Sequence, residues 1–210
     1  MTHVVTPERN KRTSRKREAV LEAASFLFCA EGYANASMDA VAARAGVSKA
    51  TLYAHFPSKQ QLFVEVMSAY VDDYIRLPEG FLDLPTPQGL RLIAERFTTM
   101  ITSPGAMAVH RAVMTEGHLF PEMVDAFRAA GPRRVHGVVA DYFRAQMARG
   151  RLNVPDPELT ASLFLHLVKG ETHIRALIGS SICTRPLAEV MDEAIRIILA
   201  AYAPGPAATS

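Results

Sequence analysis

The chain has 210 residues, of which 49% are hydrophobic and 21% are charged, and its formal net charge is +2. This content is ample for a packed core, and no apolar run reaches the roughly 18 residues that a membrane span requires. Only two cysteines occur, and the Lys/Arg-rich start leads into no apolar signal segment. These features argue against a membrane protein and a disulfide-built secreted fold, so we expect a cytoplasmic protein.

Charge is unevenly distributed along the chain. Residues 1–60 contain nine Lys/Arg against five Asp/Glu, whereas residues 61–210 contain fourteen against sixteen. The positive charge is therefore concentrated at the front, and we expect the N-terminal part to contact an acidic partner. Both cysteines, Cys29 and Cys183, lie within apolar helical patterns, which predicts two buried free thiols. A redox switch is the alternative, but no neighbour in sequence would activate either thiol.

The first helices can be located from their caps. Apolar residues recur at helical spacing throughout, which predicts an all-α fold. The first helix ends at Gly32, a residue able to adopt a left-handed cap. Ser37 is positioned to cap a second helix, and Ser48, after a turn at Gly46, is positioned to cap a third that Pro57 stops. Ser58, followed three residues later by a glutamine, matches a capping box that opens a long fourth helix.

The rear part continues as helices that open at prolines. A cluster of Pro and Gly between Leu77 and Gly89 indicates the junction between front and rear parts. Six further helices are predicted, for a total of about nine to ten, because proline's missing N–H costs nothing in a first helical turn. Their predicted starts are Pro87, Pro104, Pro121, Pro132, Pro157 and Pro186. The tail over 204–210 is rich in Pro, Ala and Gly and is expected to fray.

Two short helices joined by a turn that contains Gly46 are the arrangement that places a second helix in the DNA major groove. The surrounding residues are specific: residues 37–59 read SMDAVAARAGVSKATLYAHFPSK, preceded by AASFLF at 23–28 and by Gly32-Tyr33. This sequence closely resembles the DNA-binding domain of the TetR family over residues 15–64. We therefore predict a flexible basic arm over 1–14, a three-helix DNA-binding domain over 15–64, a sensing and dimerisation domain over 65–203, and the frayed tail.

The resemblance implies which side chains face DNA. The predicted set is Ser37, Ser48, Lys49, Ala50, Thr51, Tyr53, His55 and Lys59. Lys49 and Ala50 are the predicted base readers, through guanine O6 and N7 and through a thymine methyl group, and the last four residues mainly hold phosphates. The alternatives are an interfacial packing role for Tyr53 and an ordinary surface role for His55. The basic run over 9–17 fits a solvated tail and a minor-groove clamp equally well.

Apolar stripes in the rear part predict a dimer. A helix from about Pro157 and the last helix both carry apolar residues at helical spacing, and the family pairs its last two helices in a four-helix bundle. Such stripes are also typical of an ordinary core. The predicted interface residues are Leu163, Leu167, Gly170, Ile174, Val190, Ala194 and Ile198. Two recognition helices related by a two-fold axis would read two half-sites of an operator.

Methionine and phenylalanine between Pro87 and Ile178 suit a pocket for a small hydrophobic or amphipathic effector, and equally an ordinary core. The predicted pocket residues, with polar groups that would orient a ligand, are Phe97, Met100, Met107, His110, Met114, Phe143, Met147, Phe164 and Glu171. His166 and His173 give only a weak metal signal, so neither a metal nor a cofactor is predicted.

Segments of the rear part are similar to the AefR-like C-terminal domain of a TetR subgroup. They are FPEMVDAFRAAGPRR at 120–134, YFRAQ at 142–146, GRL at 150–152 and DPEL at 156–159. The resemblance implies repression of transcription. Our hypothesis is that an effector in the rear helices lifts repression by changing the separation of the recognition helices. An activator or an effector-independent regulator is the first alternative. An enzyme or ligand carrier is the second, although no nucleophile motif, phosphate loop or carboxylate pair supports catalysis.

Overall fold

The computed structural model describes residues 7–180 and 185–204, with side chains from residue 14 onward. Within these ranges the chain is helical and contains no β-strand, which confirms the all-α prediction. A short 3-10 helix, Phe81–Asp83, lies between the fourth and fifth α-helices. The α-helices are α1 (Pro7–Asn35), α2 (Met38–Ala45), α3 (Lys49–His55), α4 (Lys59–Ile75), α5 (Thr86–Thr102), α6 (Pro104–Glu116), α7 (Pro121–Ala130), α8 (Pro132–Ala148), α9 (Pro157–Lys169), α10 (Thr172–Ile178) and α11 (Leu187–Tyr202).

The six prolines that predicted helix starts each lie within one residue of a start. Four of them open α6, α7, α8 and α9, Pro87 is the second residue of α5, and Pro186 directly precedes α11. Proline is favoured there because its fixed φ is already helical and its missing N–H has no partner to lose. The local chemistry of these positions was therefore sufficient to locate the starts of six rear helices.

The apolar pattern that begins at Pro157 predicted one helix as far as Leu177, but the structure has two helices there, α9 and α10. α9 ends at Lys169 because Gly170 adopts φ 47° and ψ −139°, a backbone conformation that L-residues with a side chain rarely adopt. α10 begins at Thr172. The apolar spacing continues across this break, so the pattern could not reveal it.

The first compact unit consists of Met1–Tyr70 and Ala108–Ala130. Its core joins side chains of α1 to α4 with Val109 of α6 and with Met123, Ala126 and Ala130 of α7. The predicted division assigned everything after residue 64 to the rear domain. The structure instead places α7 in the front unit, because the apolar face of α7 is buried in the same cluster as Phe63.

The first helix also differs from its prediction at both ends. It begins at Pro7, inside the segment 1–14 that was predicted as a flexible arm, so the backbone from residue 7 is helical. The predicted end at Gly32 is a kink, with φ 81° and ψ 169°, after which one more turn extends to Asn35. A side chain at position 32 would be strained, and its Cβ would lie 2.6 Å from the Glu116 Oε1 atom.

The second unit consists of Val71–Met107 and Gly131–Ser210. In it α9 packs against α8 and α11, and α5 packs against α9, α10 and α11. Gly89 of α5 permits a close approach, because a Cβ there would lie 2.3 Å from the hydroxyl oxygen of Tyr142 on α8. That hydroxyl donates a hydrogen bond of 3.1 Å to the Thr86 carbonyl, and burial raises the pKa of Tyr142 to about 12.

The prediction of a buried thiol at Cys29 was wrong, because Cys29 is exposed. It follows Phe28 directly, and one residue of a helix turns by about 100°, which carries Cys29 off the face that Phe28 buries. Partial desolvation raises the pKa of the thiol, which disfavours the reactive thiolate. Cys183 lies outside the described residues, as does the tail from 205. In the part of the chain that is described, no helix is both long and apolar enough to cross a bilayer.

Candidate nucleic-acid interface and ligand cavity

The turn between α2 and α3 is built by three short-range caps. The Ser37 hydroxyl accepts a hydrogen bond of 3.1 Å from the Ala40 N–H at the start of α2. Gly46 ends α2 in the left-handed conformation with φ 65°. The Ser48 hydroxyl then accepts from the Thr51 N–H at 3.2 Å and starts α3. These caps confirm the predicted helix limits, and they fix the direction in which α3 leaves the turn.

One face of α3 is locked into the front unit, and the other is open. Leu52 is fully buried beside Val41 and Ala42 of α2. On the open side Lys49 and Ala50 are exposed, and the side chain of Tyr53 is 47% exposed. Lys49 and Tyr53 are four residues apart on α3, so the cation and the ring lie on the same open face of the helix.

Lys49 is held by an acidic neighbour. Its Nζ atom lies 2.6 Å from the Asp39 Oδ2 atom on α2, and both side chains are exposed. The hydrogen bond to Asp39 and its negative charge raise the pKa of Lys49, so this group is a cation at neutral pH. The predicted base reader is thus pre-positioned by an exposed ion pair, which is weak enough to exchange for another acceptor.

Thr51 and His55 are half-buried. The Thr51 hydroxyl lies 2.9 Å from the Ser48 hydroxyl, so the two form a small polar cluster at the start of α3. The His55 ring lies beside that of Phe56, with centroids 6.2 Å apart, at the other end of the helix. Both predicted phosphate ligands are therefore partly accessible, Thr51 in the first turn of α3 and His55 at its last residue.

Lys59, the eighth predicted DNA contact, has an intramolecular partner. Its Nζ atom donates a hydrogen bond of 3.0 Å to the Ala34 carbonyl and lies 4.5 Å from the centroid of the Tyr33 ring. Desolvation lowers the pKa of Lys59, and the charge of Glu116 partly opposes that effect. The structure therefore gives Lys59 a role in joining α4 to the end of α1.

Two arginines of the front unit were not singled out as site residues. The Arg44 guanidinium lies 3.4 Å over the Phe26 ring, a stack between residues 18 positions apart that no local pattern indicates. Arg17 belongs to the basic run that was predicted either as a tail or as a clamp. It forms an ion pair of 2.5 Å with Glu65 and lies over the Phe56 ring, so it anchors α1 within the unit.

A small cavity in the second unit contains two of the predicted pocket residues, Phe97 and Met100. Its volume is about 20 Å³, which is room for roughly one water molecule. A drug-sized ligand needs several hundred Å³, so binding one requires the lining side chains to change rotamer. The cavity is lined by the end of α4 and the residues just after it, by α5 and by α8: Tyr74, Ile75, Leu77, Ile93, Arg96, Phe97, Met100, Val135, Val138 and Val139.

The other predicted pocket residues do not line this cavity. Met114 is 69% exposed, and His110 packs against the Phe127 ring of α7 in the front unit. Phe143 and Phe164 are buried against each other as core residues, with ring centroids 6.3 Å apart. The helical spacing of apolar residues marked buried faces but did not say which helix each one faces.

The remaining three pocket predictions also fall elsewhere. Met107 is buried and Met147 is half-buried, both away from the cavity lining. Glu171 is exposed and pairs with Arg175 one turn later, so it is a surface carboxylate. Arg96 was missed by the sequence analysis, and its Nε atom is buried with no hydrogen-bond partner within the described ranges.

The predicted dimer residues divide into two groups. Leu163, Leu167 and Ile174 are 47%, 38% and 51% exposed, and Gly170 is also exposed. Val190 is half-buried in a groove that Leu167 and Ile197 also line. Ala194 lines the same groove, although it is only 2% exposed. The prediction was wrong for Ile198 of α11, which is 2% exposed and faces the core of its own chain.

Three further apolar residues, which were not among the predicted interface residues, are also exposed. They are Leu159 on α9, Ile178 on α10 and Ile197 on α11. His166 and His173 have different partners: His166 Nδ1 donates a hydrogen bond to the Ser162 carbonyl, and Nδ1 of buried His173 donates one to the Ile101 carbonyl. Across the described residues, no group of three or more potential metal ligands comes together.

Two family profiles match the sequence. Residues 20–66 match the profile described as bacterial regulatory proteins of the tetR family. Residues 88–204 match the profile described as the C-terminal domain of AefR-like transcriptional repressors. The two matches cover the helix-turn-helix and nearly all of the rear part.

Individual relatives agree with these profiles. The transcriptional activator FasR of Mycolicibacterium smegmatis is 41% identical over 88 residues, which are 41% of this chain and 40% of that protein. The chain thus spans well under half the length of this curated relative. The structure of the flavonoid-responsive regulator FrrA is 30% identical, with a TM-score of 0.75 over 92% of this chain and 100% of that one. A TetR-family regulator from Mesorhizobium loti is 26% identical, with a TM-score of 0.75 over 91% and 98%.

Proposed function

Because the chain belongs to the TetR family of transcription regulators, we propose that it binds a two-part operator as a homodimer and is released by a small effector. The family profile of the rear part is that of repressors, which favours repression in the effector-free state. DNA binding, dimerisation and release each rest on a different part of the molecule.

The open face of α3 carries the proposal of operator binding. Leu52, on its opposite side, is fully buried and fixes α3 to the front unit. Lys49, Ala50 and Tyr53 are exposed on the open side. A recognition helix reads base edges with residues of its N-terminal turn, which is where Lys49 and Ala50 lie. Lys49 is suited to guanine O6 and N7, and Ala50 is suited to a thymine methyl group.

Phosphate contacts would orient this helix. The hydroxyls of Ser37 and Ser48 are exposed at the starts of α2 and α3, where the helix dipoles favour an anion. Thr51, Tyr53 and His55 offer further donors along α3. Lys59 has two ammonium hydrogens left after its bond to Ala34, but its position favours support of α4 over direct contact.

The exposed apolar face of α9 and α10 supports the homodimer. Leu163, Leu167 and Ile174 leave much of their side chains in water, which is costly for a contiguous surface of a lone protomer. Covering this face with its symmetry mate buries the same residues twice. A dimer also gives two recognition helices, which the half-site spacing of about 34–36 Å in successive major grooves requires.

Release by an effector is supported by the cavity and by α4. α4 begins at Lys59, and its last residues, Tyr74 and Ile75, line the cavity. A ligand that enlarges the cavity toward these two residues would act on the helix whose start is tied to α1. The relative FrrA is named flavonoid-responsive, which supports a small-molecule effector for this chain. The ligand shifts the equilibrium only by its differential affinity for the two conformations.

Activation of transcription is the second candidate, since the relative FasR is named an activator. The repressor profile covers residues 88–204, whereas the FasR match covers 41% of the chain. A reporter fused to the promoter bound by the protein separates the two. Repression predicts higher reporter output when the gene is deleted, and activation predicts lower output.

Sequencing the genomic fragments that the purified protein retains tests operator binding directly. We expect enrichment of fragments with an inverted repeat, and a mobility shift at nanomolar protein that is lost when either half-site is scrambled. Tyr53→Phe and Ala50→Lys variants keep the fold of an exposed helix while altering its surface. Absence of any enriched fragment at low salt, from a folded protein, would contradict the proposal.

A further inference from the structure

The cavity of the second unit has one charged residue in its lining, Arg96 on α5. Most of its neighbours there are aliphatic or aromatic, among them Ile93, Phe97 and Val139. The guanidinium is a permanent cation, because arginine does not lose its proton in proteins. As a whole residue Arg96 is only partly buried, whereas its Nε atom is fully buried.

Arg96 has an unused donor. Its Nε atom is buried and has no hydrogen-bond partner among the residues that the structure describes. Buried N–H groups are almost always paired, because an unpaired one loses its bonds to water and gains nothing in return. The unpaired Nε–H of Arg96 is therefore available to donate a hydrogen bond to an acceptor on a bound ligand.

The nearby carboxylates of the helices that form the wall do not supply that acceptor. Asp72 on α4 pairs with Arg134, and Asp141 on α8 pairs with Arg144. Asp73 and Glu95 are exposed, and no Asp or Glu lines the cavity. The charge of Arg96 thus has no counter-ion in the cavity wall.

We propose that the effector is an apolar carboxylate, whose carboxylate pairs with Arg96 and whose hydrocarbon body displaces Phe97 and Met100. A carboxylate matches the planar donor fork of arginine with two parallel hydrogen bonds. Methionine has the rotamer freedom to make room for the body of such a ligand. This inference rests on the proposed effector-released regulator and names the chemical class of its effector.

Matched probes of equal size and shape test the class. Octanoate and 1-octanol, and 4-phenylbutyrate and 4-phenyl-1-butanol, form two pairs that differ in the anionic group. With the full-length protein, calorimetry should give saturable binding of a carboxylate that is at least about ten-fold tighter than that of its alcohol. Equal binding within both pairs, or no binding of either carboxylate at millimolar concentration, overturns the proposal.

Arg96→Met removes the cation and nearly keeps the volume, and Arg133→Met, at an exposed position of α8, is the matched control. Arg96→Met should abolish the preference for the carboxylate, and Arg133→Met should keep it. Without any ligand, Arg96→Met should melt at the same temperature as the wild type or higher, because it removes an unpaired buried donor. A lower melting temperature, or an unchanged preference, means that Arg96 is structural and overturns the assignment.

Operator release is measured separately, with a mobility shift in the presence of each probe. Binding of a carboxylate through Arg96 without release of the operator contradicts the proposed release mechanism and leaves the ligand class intact. Release by the alcohols alone does the opposite: it supports an effector-released regulator and overturns the role of Arg96.

Discussion

The ammonium group of Lys59 and the backbone carbonyl of Ala34 are joined by a hydrogen bond of 3.0 Å, which ties the start of α4 to the end of α1. The N–H of the same residue, Ala34, donates to the Glu116 Oε2 atom of α6 at 2.6 Å. One peptide segment after the kink at Gly32 is therefore held by a cation from α4 and a carboxylate from α6. Since side chains of α1, α3 and α4 share one buried cluster, this contact supports the position of α3 without needing to touch DNA.

Lys59→Ala should weaken the protein through this support. Loss of a half-exposed, charge-assisted hydrogen bond is expected to lower the free energy of unfolding by about 1 kcal/mol and the melting temperature by roughly 2–4 °C. Operator affinity should fall moderately and uniformly across sequences. The slope of log Kd against log salt concentration should stay unchanged, because no phosphate contact is lost.

Arg76→Ala is the matched control for Lys59→Ala, since it also removes one positive charge, at an exposed position after α4. It should alter neither the melting temperature nor the salt slope. A Lys59→Ala protein with unchanged stability and a salt slope smaller by about 1 would instead identify Lys59 as a direct phosphate ligand.

Lys49→Ala should relax sequence preference at one base pair of each half-site. The wild type is expected to discriminate against the wrong base there by about ten-fold, because a bidentate contact to guanine is lost on any other base. Lys49→Arg keeps a bidentate donor and should keep the preference. Mobility shifts with operators changed one base pair at a time measure the effect, and uniform weakening at every position would assign Lys49 to a phosphate.

Short-range chemistry made the front of the chain predictable. Ser37, Gly46 and Ser48 fix the limits of α2 and α3 through contacts within three or four residues. Prolines mark the starts of six rear helices. Such contacts can be predicted from the local sequence, because both partners lie within a few residues of each other. The same holds for the exposed positions of Lys49 and Tyr53, which follow once Leu52 is known to face inward.

The residues of the pocket and of the dimer face depend on which helices pack against each other. Helix packing is a property of the tertiary structure, so the local sequence does not determine it. Ile198 belongs to the apolar stripe that predicted a dimer face, yet it faces its own core, while neighbouring Ile197 is exposed. Periodicity identifies an apolar face and cannot name its partner. Arg96 stayed unrecognised for a related reason, since a buried donor without a partner is visible only once all neighbours are in place.

Leu163→Glu should separate the proposed dimer into protomers. Leu163 is exposed on α9, so the charge is tolerated in a monomer, but a dimer would bury two carboxylates against each other. The dimer dissociation constant should rise by roughly 100-fold, and operator binding should be lost with it. Leu119→Glu, at a comparably exposed leucine of the front unit, is the control and should stay dimeric in sedimentation experiments. Dimers of Leu163→Glu at low micromolar concentration would exclude this face.

A pH dependence of stability follows from His136 on α8 and His166 on α9, whose ring centroids lie 6.5 Å apart. Burial, and secondly the neighbouring His166, lower the pKa of His136 from its ordinary value. The unfolded chain therefore binds the proton at a higher pH than the folded chain does. Between these two pH values the unfolded state holds more protons, so the free energy of unfolding decreases as the pH falls.

The melting temperature should accordingly decrease between about pH 7.5 and pH 5.5, in the range where an unperturbed histidine titrates. His136→Gln cannot take up the proton and should flatten this part of the profile, whereas His118→Gln, at an exposed position of the front unit, should leave it as in the wild type. Melting curves at four pH values and constant ionic strength measure the difference. If His136→Gln and the wild type lose stability in parallel, the acid sensitivity arises elsewhere, because a group that no longer titrates cannot contribute to the slope.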